Sequence, residues 1–343
     1  MESNDNLTII YPNVSFDNEV DDKVELSAVF PSYRIIKLET LPESLIGGPN
    51  TKVIKHGNMF YVRSINEVLV FDEDGKFVKK LSRLGSGPSE YARVLDFDVV
   101  GDGRNELWVS AEDGIHRYDL NTLNYKGKMQ PDFYVSRLKY IGNGSFIADT
   151  PEDEVFKIID MAGNVESSFF KKDLANSLTM HVDFIYDPEH KKILHQLQSS
   201  NDAIYYDPEN SEWGMTKLVS DRPGLLTADD NRDAYEAKGY FDMISYITEI
   251  YDQILCSRSV GDKSIMIMLC PDNKWKMVLI DGDKSTVFPY TMVTNDLAPH
   301  AHPLMLNTLH CSESDNSFLF IAENEDPDDN PSILEVFDIN PLQ

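Results

Sequence analysis

The chain has 343 residues and carries 31 Lys and Arg against 58 Asp and Glu, a formal net charge of −27. That balance excludes a duplex nucleic-acid binder, which needs a basic surface to displace counterions, and it disfavours adsorption to an anionic membrane. At 41% hydrophobic and 10% aromatic residues, the chain nevertheless has ample apolar material for a large folded core.

The start, Met1-Glu2-Ser3-Asn4, is polar and acidic, without the basic and apolar regions of a secretory signal. The sequence therefore reads either as cytoplasmic or as an exported chain whose leader has been removed. No apolar run approaches the roughly 20 residues of a membrane helix; the longest spans only 265–270. Residues 1–32 read as a partly irregular extension, and 33–343 as a single domain. Three cysteines, Cys256, Cys270 and Cys311, are too few for a disulfide scaffold and fit small buried residues in apolar strands.

From residue 34 onward the chain is a series of short apolar strands. The first, 34–38, stands alone. A unit then recurs: a strand ending in Asp, preceded by one or two strands and followed by a turn and another strand. Its third strand reads Glu67-Val-Leu-Val-Phe-Asp72 in the first copy and Gly114-Ile-His-Arg-Tyr-Asp119 in the second. The aspartates fall at 72, 119, 160, 207, 281 and 338, spaced 47, 41, 47, 74 and 57 residues apart. Four antiparallel strands repeating every 40 to 50 or so residues define a propeller blade.

Six copies predict an all-β, six-bladed β-propeller with blades at about 51–82, 94–130, 134–170, 179–219, 243–288 and 303–343. The last copy leaves no room for an outer strand. The lone strand within 33–39 is therefore expected to complete blade six and close the ring. Blade five has one strand too many for the pattern, since 264–270 and 275–280 both suit its third position. The long gap before it holds a helix-like segment at 228–239, with acidic residues at its start and Gly239 at its end.

The link after blade one, Arg83-Leu-Gly-Ser-Gly-Pro-Ser-Glu-Tyr91, resembles the glycine-proline-glutamate-aromatic signature of six-bladed, TolB-like and NHL-like propeller proteins of Bacteroides and its relatives. Ser89 stands where that signature usually has Gly. Repeat by repeat the resemblance covers 33–343. It implies an exported lipoprotein of the cell envelope, anchored through a leader not present here, and it supplies no catalytic residues.

In a propeller the inter-blade links and the turns between second and third strands emerge on one face, where ligands bind. Arg83, Glu90, Tyr91, Arg93, Glu112 and Asp183 are the candidate ligand-binding residues. The alternative for the 83–91 loop is a turn that tucks Tyr91 against the next blade, locked by a contact between Glu90 and an arginine. It is no phosphate loop, lacking a Lys-Ser/Thr ending. His300 and His302, with His181, form a candidate transition-metal set such as zinc takes, although solvated histidines explain the same residues. The acidic run 323–330 resembles calcium-ligand chemistry without an EF-hand's order. No nucleophile motif is present. The reading that follows is a non-catalytic propeller binding a protein, peptide or glycan; the alternative is a metal-assisted lyase or hydrolase at the axial mouth.

Overall fold

The computed structural model describes residues 19–20, 24–47, 52–171, 184–187, 191–197, 202–217, 224–271, 274–289, 298–299, 309–312, 316–323, 326 and 328–341. A short helix, α1 (Leu26–Val29), precedes β1 (Ser32–Lys37). Blade one comprises β2 (Val53–His56), β3 (Met59–Ser64), β4 (Glu67–Asp72) and β5 (Phe77–Leu81). Blade two comprises β6 (Val94–Val100), β7 (Glu106–Ala111), β8 (Gly114–Asp119) and β9 (Tyr125–Met129). Blade three comprises β10 (Arg137–Gly142), β11 (Ser145–Asp149), β12 (Glu154–Asp160) and β13 (Val165–Lys171).

Blade four holds β14 (Ile185–Asp187), β15 (Lys192–Gln196), β16 (Asp202–Asp207) and β17 (Glu212–Lys217). Two helices follow, α2 (Ala228–Lys238) and α3 (Tyr240–Ile250). Blade five is β18 (Gln253–Val260), β19 (Lys263–Cys270), β20 (Lys274–Asp281) and β21 (Lys284–Pro289). In blade six the inner position is shared by β22 (Ala298–Pro299) and β23 (Leu309–Ser312), which both pair with β24 (Ser317–Glu323); β25 (Ser332–Asp338) follows. Every pairing between these strands is antiparallel, and blades one to five run in sequence order, so the chain is a six-bladed β-propeller, mostly sheet with three short helices among the described residues.

The N-terminal strand takes the place the sequence assigns it. β1 is the outer strand of blade six, with Tyr33 opposite Val336 and Ile35 opposite Leu334. The repeated aspartate also has a physical role. All six end a third strand, and in the first four blades the carboxylate caps the turn that follows. Asp72 accepts from the N–H groups of Asp74 and Lys76 at 3.0 and 2.9 Å. Asp160 accepts from Ala162 and Asn164 at 2.8 and 2.9 Å. Such Asx turns reverse the chain within a few residues. They also hold the carboxyls of Asp119 and Asp160 below the usual range, chiefly through Thr122 N–H in the first and the Asn164 side chain in the second.

The chain divides into two compact units. One, residues 38–172, holds blades one to three; the other, 2–37 with 173–343, holds blades four to six. In the first unit, Tyr61, Val68 and Val70 of blade one pack with Phe97, Leu107 and Val109 of blade two. Trp108 and Ile115 of blade two pack with Leu138, Phe146 and Ile159 of blade three. In the second unit, Ile185 and Leu194 meet Met266 and Val278, while Cys256, Ile267 and Leu279 meet Phe318, Phe320 and Leu334, with α1 added to that cluster. A blade's middle strands are buried on both sides because each sheet is covered by its neighbour. Cys256 and Cys270 are both buried.

Two expectations need correction. The single helix at 228–239 is the first of a pair. Thr227 and Asp230 form a reciprocal capping box, Gly239 turns the chain at φ 74°, and α3 follows at once. Met243 and Ile247, four residues apart, pack on Leu226 and Ala234. The β-branched residues at 244, 247, 248 and 250 disguise that helical spacing in the sequence. Blade five consequently begins at Gln253, not at 243. Residues 253–260 are its first strand, which makes 264–270 the second and 275–280 the third.

Candidate functional site

Residues 82–93 link β5 to β6. They emerge at the same strand ends as the β3–β4 turn at 65–66 and the β7–β8 turn at 112–113, all within the first unit. Two backbone bonds clamp the loop: Tyr91 N–H donates to Arg83 O at 2.9 Å and Gly85 N–H to Tyr91 O at 3.0 Å. Inside it, the Glu90 carboxylate accepts from Gly87 N–H at 2.8 Å. A Cβ on Gly85 would lie 2.1 Å from that carboxylate oxygen, so a side chain here would push the Glu90 carboxylate off its bond to Gly87. The loop's glycines and its glutamate are thus parts of one device.

Tyr91 is fully buried. Its hydroxyl donates to Asn66 O at 2.9 Å and accepts from Arg83 N–H at 3.2 Å; burial pushes its pKa up to about 12. Asn66 Oδ1 in turn accepts from Val94 N–H at 3.2 Å, and the Tyr118 hydroxyl donates to Ser89 O at 3.1 Å. One phenol therefore ties the turn of blade one to the link into blade two.

The structure brings Arg83, Glu90, Tyr91, Arg93 and Glu112 to one end of the first unit but separates their roles. Glu90 and Tyr91 point into the loop and hold its shape. Arg83 and Arg93 are exposed, and Arg93 pairs loosely with Glu112 at 3.5 Å. The expected contact between Glu90 and an arginine is replaced by the bond to Gly87, because the turn leaves its own N–H pointing at the carboxylate. Asp183, His181, His300 and His302 lie outside the described residues. Among the described residues, no group of three or more His, Cys, Asp or Glu is placed to hold a metal ion.

Sequence reasoning overlooked a second cluster at these strand ends. Lys52 Nζ lies 2.9 Å from Asp96 Oδ1, and the same carboxylate accepts from Leu138 N–H of blade three at 2.9 Å. Asp98 does likewise for Tyr140 N–H at 2.7 Å. These aspartates satisfy inner-strand N–H groups that no further strand pairs. The guanidinium groups of Arg63 and Arg137 both donate to Leu95 O, in the second case at 3.0 Å. The signal was present: Asp-Phe-Asp at 96–98 interrupts an otherwise apolar strand.

Beside the loop, His116 is buried between Tyr91 and Tyr118, with Nε2 3.1 Å from Asp113, which also takes Lys128 at 2.7 Å. Burial lowers the His116 pKa below its ordinary 6.5, outweighing the pull of Asp113. The unfolded chain then binds a proton that the folded chain refuses, so this stability is complete above pH about 6.5 and drains as the pH falls below it. Urea titrations across pH 7.5 to 4.5 are expected to show that loss, and His116→Phe is expected to flatten it. An unchanged slope in the variant would refute the assignment.

Comparison with known proteins agrees with this architecture. Residues 8–213 match a family described as a domain of unknown function, DUF4934. The chain belongs to that family. No curated protein matches it. A Bacteroides fragilis protein classed as exported superposes with a TM-score of 0.73 at 15% identity, covering 96% of this chain and 100% of its own. A member of the DUF4221 family from Bacteroides vulgatus gives 0.54 at 12% identity, over 92% and 98%. The extracellular domain of a protein classed as a hybrid two-component system of B. thetaiotaomicron gives 0.50 at 10%, over 92% of this chain and 44% of its own. At these identities the likeness is one of fold. Among the described residues, no helix is long and apolar enough to cross a membrane.

Proposed function

We propose that the protein is a non-catalytic binding propeller of the bacterial cell envelope, exported as a lipoprotein, that engages a protein, peptide or glycan through the loop end of its first unit. The observation that carries this reading is the 83–91 loop. Glu90 and Tyr91 spend their polar groups on fixing its shape, while Arg83, Arg93 and Glu112 remain outward on a rigid frame. A preformed loop loses little conformational entropy on binding. The exported and extracellular character of two fold neighbours supports the location, and the Gly-Pro-Ser-Glu-Tyr sequence at 87–91 supports kinship with TolB-like and NHL-like propellers.

The test immobilises the protein and its Arg83→Ala/Arg93→Ala/Glu112→Ala variant, then challenges both with solubilised envelope proteins and with a glycan array. Components retained by the parent are expected to be lost by the variant. Equal retention by both would place binding elsewhere on the propeller.

A further inference from the structure

The same loop end displays aliphatic side chains. Leu45 is 52% exposed, Ile65 63% and Leu84 58%. They come from three separate segments that the hydroxyls of Ser64 and Tyr91 stitch together. Ser64 Oγ donates to Leu45 O at 3.2 Å and accepts from Gly47 N–H at 2.9 Å. The Tyr91 hydroxyl joins Asn66 O to Arg83 N–H, which sets Ile65 and Leu84 one residue to either side of that junction. Single exposed leucines need no explanation, whereas three large aliphatic side chains gathered at one loop end do.

Ile65 adds an independent observation. Ser64 pairs with Glu67, leaving Ile65 and Asn66 as a two-residue hairpin turn. Ile65 has φ 50°, a left-handed conformation that such turns give to glycine or asparagine and that a β-branched residue adopts only at a cost. The chain thus bears both a strained backbone and an exposed apolar side chain at one turn tip. Neither stabilises the fold, and the pairing of strain with exposure points to recognition.

The charges around the patch select the partner. The Glu90 carboxylate is turned onto Gly87 N–H, and Asp113 is held by Lys128. Arg83 is exposed, and Arg93 keeps 66% of its side-chain surface open despite Glu112. In a chain of net charge −27, this end presents two exposed arginines beside its aliphatic groups, against the single outward carboxylate of Glu112, 45% open. We infer that Leu45, Ile65 and Leu84 form a docking surface for a segment of another protein in which aliphatic residues are flanked by Asp or Glu that meet Arg83 and Arg93. This deepens the proposed function and rests on it.

The test uses two pools of 12-residue peptides, each with two central aliphatic positions, one pool flanked by Asp/Glu and the other by Lys. Fluorescence anisotropy is read against the parent, Ile65→Gly, Leu84→Ser and Arg83→Ala/Arg93→Ala. The acidic pool is expected to bind the parent and the Lys pool not. Ile65→Gly is expected to weaken binding by about tenfold or more, the loss of one buried aliphatic group, while its Tm stays at or above the parent's because the strained residue is gone.

Equal binding of both pools, or of neither, would overturn the inference. Binding that falls in Arg83→Ala/Arg93→Ala but holds in Ile65→Gly and Leu84→Ser would overturn the aliphatic surface and leave the binding loop intact. Loss of binding to phosphatidylcholine vesicles in Ile65→Gly, or loss of a concentration-dependent dimer, with no peptide bound, would assign the patch to lipid or to a second copy and overturn it also.

Discussion

Trp108→Ala is expected to destabilise the first unit by about 4 kcal/mol, the range for deleting a buried aromatic side chain from a packed core. Trp108 lies in a middle strand of blade two and is fully buried, with its ring centroid 4.5 Å from that of Phe146 of blade three. Truncation removes the largest side chain of the cluster joining these blades. It also breaks a polar assembly. The indole N–H donates to Glu106 Oε2 at 3.0 Å, and the Arg117 guanidinium sits 4.9 Å over the ring while bonding the same carboxylate at 3.0 Å. Urea unfolding followed by far-UV circular dichroism measures the loss. A change below about 1 kcal/mol would mean that the blade interface collapses onto the gap, contrary to the packing described.

The second large effect is at the seam where the N-terminal strand joins blade six. Glu335 is fully buried; Arg34 donates to it at 2.7 Å and Ser317 Oγ at 2.9 Å. Arg34→Met removes one counter-charge from a buried carboxylate that keeps its bond to Ser317, which is expected to cost about 3 kcal/mol. Replacing both groups, Arg34→Met with Glu335→Leu, removes the buried charge as well and is expected to recover most of that loss. The signature is non-additivity in a double-mutant cycle. A double variant as unstable as the sum of the singles would show that the pair does not act as a unit.

Much of the architecture was legible in the sequence because one residue marks each repeat. The aspartate at the end of every third strand fixes the blade count, and in four blades its role as turn cap explains why that position recurs despite little other identity between copies. The partner of β1 followed from counting strands. The α2–α3 pair was half legible: Thr227 and Asp230 announce the first helix, whereas β-branched residues hide the second until its packing on Leu226 is seen.

The site was legible as a location and not as a set of roles. Gly85, Pro88 and Glu90 drew attention to the loop, but that Glu90 faces a backbone N–H, and that its carboxylate lies against Gly85, depends on three-dimensional closeness. Ile65 gave no sequence signal at all. An isoleucine between two strands reads as part of either, and only its backbone angle and exposure single it out.

Site-specific photo-crosslinking in the native host tests the central claim most directly. A benzoyl-phenylalanine is placed in turn at positions 65 and 84 of the loop end and at 78 and 165, exposed residues of outer strands. Binding through the loop end of the first unit predicts a discrete protein adduct from 65 and 84 and none from 78 or 165. Adducts confined to the outer-strand positions would contradict it.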